Sequence, residues 1–98
     1  MGERLYFVYI MTNLHMTTLY TGITNNLLRR VDEHKRGAGG AFSRKYHLNR
    51  LVYYEIYRDV WAAISREKRI KGGSRSRKIE LINFLNPKWL DLSLDMDQ

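Results

Sequence analysis

Hydrophobic and polar positions follow two rhythms along this chain, a short one of period two and a longer helical one. Residues 5–11 and 18–23 are runs rich in β-branched and aromatic side chains, separated by the polar segment 12–17. That pattern predicts an antiparallel hairpin. With a loop at 13–16, Thr12 pairs with Thr17 and Tyr9 falls opposite Tyr20, which sets two phenols side by side on one face. Residues 26–36 then carry a narrow apolar stripe of Leu27, Leu28 and Val31, with Gly37 placed to end a helix. Arg30 and His34 stand four apart on a neighbouring face, and Asn26 shares that face one turn earlier. The run Gly37-Ala38-Gly39-Gly40 reads as a flexible break, residues 41–46 as a helical turn, and 51–57 as a third strand with aromatic residues on both faces.

Asp59 is placed to cap a helix over 60–71, ended by Gly72-Gly73. Ser74 opens a last helix to Leu85, with Ile79, Ile82 and Leu85 facing inward, and Asn86-Pro87 stops it. The expected fold is α/β of the α+β type, a single domain with a small three-stranded antiparallel sheet. Strands apolar on both faces call for helices on both sides.

Composition narrows the function. The chain has no cysteine, which removes disulfides, thiolate metal sites and a cysteine nucleophile. No apolar run reaches the roughly 20 residues of a membrane span, and Met1-Gly2-Glu3-Arg4 carries no secretory signal. A cytoplasmic protein is expected. Lysine and arginine number 17 against 10 acids, a net charge of +7, and Asp91, Asp95 and Asp97 sit in the C-terminal tail. The body is therefore more basic than the total, which points to a polyanionic partner.

Within 66–78 the cations Arg66, Lys68, Arg69, Lys71, Arg75, Arg77 and Lys78 face Glu67 alone and bracket a diglycine turn. Backbone N–H groups at a helix start together with Lys71, Arg75, Arg77 and Lys78 suit a phosphate cradle. Glu67 itself falls on the buried stripe of its helix, where a carboxylate needs a cation such as Arg30 or Lys71, or a metal. From Lys88 the acidic tail is expected to dock through Trp89 and Leu90 and then fray.

Val8-Tyr9-Ile10, followed eleven positions after Tyr9 by Tyr20-Thr21-Gly22, resembles the paired tyrosine motifs of the GIY-YIG nuclease superfamily. Asn26-Leu27 with Arg30 and His34, the helical Glu67 and a late asparagine complete the resemblance, which is to its small stand-alone bacterial branch. Asn83 and Asn86 both fit the last position, with Asn86 favoured. Phe7 stands where many members have glycine, and Ile23 where some have a lysine that would act on Tyr20.

The resemblance implies a metal-dependent DNA endonuclease or nicking module, acting in repair or recombination with little sequence specificity. Tyr20 would accept the proton of the attacking water, supported by Tyr9, with His34 donating to a tyrosine or to phosphate. Arg30 would neutralise charge growing on the phosphate. Glu67 would hold one Mg2+ or Mn2+, since magnesium accepts a single carboxylate and fills its shell with water and phosphate oxygens. Asn26, Lys71, Arg75, Arg77, Lys78 and Asn86 would contact nucleic acid, expected to be branched or damaged DNA, with RNA left open. Two other classes stay open: a non-catalytic nucleic-acid-binding module, and an accessory protein of a larger repair complex docking through Trp89 and Leu90.

Overall fold

The computed structural model describes residues 4–96, so Met1-Gly2-Glu3 and Asp97-Gln98 lie outside the described residues. Strands β1 (Tyr6–Thr12), β2 (Leu19–Thr24) and β3 (Arg50–Tyr57) form one antiparallel sheet in the order β2-β1-β3. Helices α1 (Leu27–Lys35) and α2 (Ala41–Tyr46) connect β2 to β3, and α3 (Val60–Lys71) and α4 (Arg75–Leu85) follow. A short 3-10 turn, Leu92–Asp95, ends the described chain. No helix among the described residues is long and apolar enough to cross a membrane.

Strand alternation sorts β1 into two cores. Val8 and Ile10 pack with Val52, Ala63, Ile70 and Ile82 under α3 and α4, while Tyr9 and Met11 pack with Leu27, Val31, Leu48 and Leu51 under α1. A strand buried on both faces explains its nearly unbroken apolar sequence, and each such side chain stabilises the fold by about 1.5–3 kcal/mol. A bulge between β1 and β3 pairs Ile10 with Tyr53 and Met11 with Leu51. The extra residue, Val52, joins Tyr53 in the first core, as a bulge permits.

The hairpin register differs from the expected one by two residues. Thr12 pairs with Leu19, Tyr9 with Gly22, and Tyr20 with Met11. The cause is Asn13, whose side-chain Oδ1 accepts from the Thr17 amide at 2.8 Å while its carbonyl accepts from Met16 N at 3.0 Å. Thr12 Oγ1 also donates to the Thr18 carbonyl at 2.7 Å, so the loop is wider than four residues. A slip of two leaves every side chain on its own face, and Tyr9 and Tyr20 remain neighbours, now diagonal.

Helix ends follow their capping residues. Asn26, Asp59 and Ser74 accept from the backbone N–H groups of Arg29, Ala62 and Arg77. Two expectations fail near the C-terminus. Leu85 is half exposed, because the inward contact passes from Ile82 to Asn86. The tail does not fray after Trp89 and Leu90. Asp91 pairs with Lys35 at 2.8 Å and accepts from Leu51 N, and Leu92 and Met96 pack against the second core. Trp89 packs on the first core, whereas Leu90 is exposed.

Candidate active site

Tyr9 is only 1% exposed, and its hydroxyl lies 2.9 Å from His34 Nε2. On the other side of the imidazole, Nδ1 lies 2.8 Å from the Ser43 hydroxyl, which donates to the His34 carbonyl at 3.3 Å. A serine has one proton to give. Spent on that carbonyl, it leaves Oγ to accept from Nδ1–H, so Nε2 accepts from Tyr9. The network thus assigns the tautomer and a direction: Tyr9 to His34 to Ser43 to backbone. Burial, and then the charge of Arg30, lower the His34 pKa to about 4, which keeps the ring neutral. Burial raises the Tyr9 pKa to about 12 despite the opposing pull of Arg30, so Tyr9 stays a protonated phenol.

Tyr20 is half-buried, with its ring 6.3 Å from Tyr9, 5.2 Å edge-on to His34 and 5.6 Å from Phe42. Arg30 donates to Glu33 Oε1 at 3.0 Å and to the Gly39 carbonyl at 3.1 Å. Burial opposes its charge, but Glu33 and both tyrosines offset that, and the guanidinium stays ionised. Two glycines make the packing possible. A Cβ on Gly22 would meet the Tyr9 hydroxyl at 2.5 Å, and one on Gly39 would meet His34 Nδ1 at 2.6 Å. The residues 37–40 are therefore more than a flexible break.

Tyr9, Tyr20, Arg30 and His34 are thus brought together on one face. Glu67 is on α3, which packs over the opposite face against β1 and β2. The Glu67 side chain is 12% exposed and sits 3.5 Å from Lys71 Nζ, which resolves its expected partner as Lys71. Among the described residues no three histidines or acids cluster. A divalent ion would find Glu67 as its protein carboxylate and draw further oxygens from water and phosphate, a donor set that fits magnesium or manganese.

Ile23 packs against the Val8–Ile10 core, on the face away from Tyr20. A lysine there would emerge on the α3 side, and the expectation that it stands beside Tyr20 is corrected by strand alternation. Asn86 is likewise corrected. It is 5% exposed, and its amide bonds the Val52 and Leu90 carbonyls and the Leu90 N–H, so it is buried as a clamp on the tail and does not face a nucleic-acid surface. Asn83 accepts from the Trp89 indole. Asn26 is exposed but spends its side-chain oxygen on the α1 cap. Of the basic stretch, Arg75 reaches the Met16 carbonyl, Lys78 caps the Lys71 and Gly73 carbonyls, and Arg77 is exposed. Ser43, Gly39, Glu33 and Phe42 were not singled out by sequence. Only the glycine-rich spacing held a hint.

Comparison with known proteins identifies relatives of the chain. The GIY-YIG catalytic domain family matches residues 5–80. A UPF0213 protein of Clostridium perfringens is 39% identical over 77 residues, covering 79% of this chain and 82% of its own. One from Desulfotalea psychrophila is 45% identical over 78 residues, covering 79% of this chain and 70% of its own. The solution NMR structure of a UPF0213 protein from Bacillus halodurans superimposes with a TM-score of 0.58 at 26% identity, covering 95% of this chain and 99% of that one. The chain therefore belongs to the GIY-YIG family, in its branch of small stand-alone proteins, a family of nucleases that act on nucleic acid and generally depend on a divalent metal.

Proposed function

We propose that the protein is a metal-dependent endonuclease or nicking module that hydrolyses DNA phosphodiester bonds with little sequence preference, in repair or recombination. The observation that carries this reading is the difference between the two tyrosines. The Tyr9 proton is committed to a buried histidine, while Tyr20 is accessible beside a permanently charged arginine. Deprotonated Tyr20 would take the proton of the attacking water as the new P–O bond forms and the ester P–O bond breaks. Tyr9, held by His34, would position Tyr20 and the water. Arg30 would exchange its Glu33 contact for a phosphate oxygen and stabilise charge growing there. A divalent ion held by Glu67 would polarise the phosphate from the α3 side. Phosphate contacts from Lys71, Arg75, Arg77 and Lys78 would dominate affinity, which should fall steeply with salt.

Nicking of branched and linear DNA with and without magnesium tests the reading. Cleavage that needs magnesium and vanishes in Glu67→Ala, with DNA binding retained, is the expected result. A Glu67→Ala protein that cuts like wild type, or that fails to fold, removes the metal role. One observation favours a non-catalytic nucleic-acid-binding module: Arg30 and Glu67 already have partners, in Glu33 and Lys71. Binding without cleavage by the wild-type protein would establish that alternative.

A further inference from the structure

A cavity of about 420 Å³ lies between α3 and α4, away from the two tyrosines. Its walls combine two chemistries. Ile70 and Leu81 supply apolar surface, and Phe84 stands at the rim 92% exposed, although a phenylalanine loses water contact readily when given a partner. Around them lie Arg69, Arg77 and Lys78, against the single acid Glu80. A fourth cation, Arg66, is neutralised by Glu55, with two contacts of 2.9 Å to its carboxylate. Lys78 donates to the Gly73 carbonyl at 2.8 Å and has no acid partner among the described residues. Arg69 and Arg77 form no ion pair among the described residues.

At about 3.6 residues per turn, Glu67 and Lys71 share one flank of α3, and Arg66, Arg69, Ile70 and Gly73 look toward α4. The cavity thus opens on a different flank of α3 from the one that Glu67 and Lys71 share. A simple anion would use the arginines and leave Phe84 in water. An apolar peptide would cover Phe84 and strand the arginines. A ligand suited to both has flat apolar faces joined by closely spaced anions, which describes nucleic acid whose bases are unpaired. Duplex hides those faces inside its stack.

We propose that the α3–α4 cleft binds an unpaired stretch of nucleic acid, with a base stacked on Phe84 and backbone phosphates on Arg69, Arg77 and Lys78. As a deepening of the nuclease reading it directs the chemistry to DNA with a single-stranded segment, such as a flap or fork. The binding itself does not depend on catalysis.

Fluorescence anisotropy of the full chain, without divalent metal, with labelled oligothymidine and a blunt duplex of equal length, tests it. Wild type should bind oligothymidine more tightly than the duplex. Phe84→Ala should weaken oligothymidine binding on the order of tenfold, leave its salt dependence unchanged and spare the duplex. Phe84→Trp should retain or tighten binding. Arg77→Gln should flatten the log–log salt dependence on the single strand by roughly 0.7. Equal losses on both ligands in Phe84→Ala, or oligothymidine bound no better than duplex, would overturn the proposal. So would a dimer in sedimentation that Phe84→Ala dissolves, since Phe84 would then be covering a second copy. Oligothymidine binding that follows this pattern in a protein that never cleaves would leave the cleft standing and remove only the nuclease reading.

Discussion

The two faces of the sheet use the same strand for opposite purposes. Toward α3 and α4, β1 presents Val8 and Ile10 to a mainly apolar core, in which Arg66, Tyr53 and Tyr57 satisfy Glu55 and the Thr21 hydroxyl beside Ile10 is buried without a partner. Toward α1 and α2 it presents Tyr9, and a chain of polar groups runs inward through His34 to Ser43. The first face gains by excluding water from carbon. The second holds polar groups that are costly to bury, and stays stable because each has a partner. Buried polarity organised around an accessible phenol and a cation distinguishes a site from a core.

The comparison breaks most visibly in catalysis. Tyr20→Phe should remove cleavage by about 10³-fold or more, while Tyr9→Phe leaves a measurable remainder, since a positioning hydroxyl contributes less than the proton acceptor. Single-turnover rates at several pH values check this, and equal rates in Tyr20→Phe and wild type would reassign the base. Arg30→Ala should cost roughly 10²–10³-fold, and unchanged turnover would reduce Arg30 to a partner of Glu33.

Stability sharpens the contrast. Ile10→Ala should cost about 2–5 kcal/mol in denaturant unfolding, yet leave the rate per folded molecule near wild type. Gly22→Ala should cost less, about 1–3 kcal/mol, but lower the rate, because its methyl group displaces the Tyr9 ring. If both variants lose rate in proportion to stability, the faces are not functionally separate.

The smallest effect is in pH. His34 has a folded pKa of about 4 against an ordinary value of 6.5, so the unfolded chain binds the proton first as pH falls. Stability should therefore be full above pH 6.5 and decline towards pH 4, by roughly 1–2 kcal/mol at pH 5. Burial would raise the Glu55 and Asp91 carboxyls, but Arg66 and Lys35 hold them below their ordinary range, so their losses come at lower pH. His34→Gln should flatten the slope between pH 6.5 and 5. An unchanged slope would mean that the imidazole is not buried neutral.

The extents of the strands and helices, their capping residues and the division of β1 into two faces were legible in the sequence. All depend on contacts within a few residues and on periods of two or nearly four. The conjunction of Tyr9, Tyr20, Arg30 and His34 was legible as well, because alternation survives a two-residue slip of register. What only the tertiary structure decided were the pairings that span the chain. Asn13 widened the hairpin loop, Ser43 accepted the hydrogen bond from His34 Nδ1, and Gly39 made room for that ring. Asn86 turned out to clamp the tail, and Ile23 to belong to the apolar core. Tyr9 and His34 are 25 residues apart, and His34 and Ser43 nine. A local pattern sets which way a side chain points from its own element, but which group it meets depends on how the elements pack.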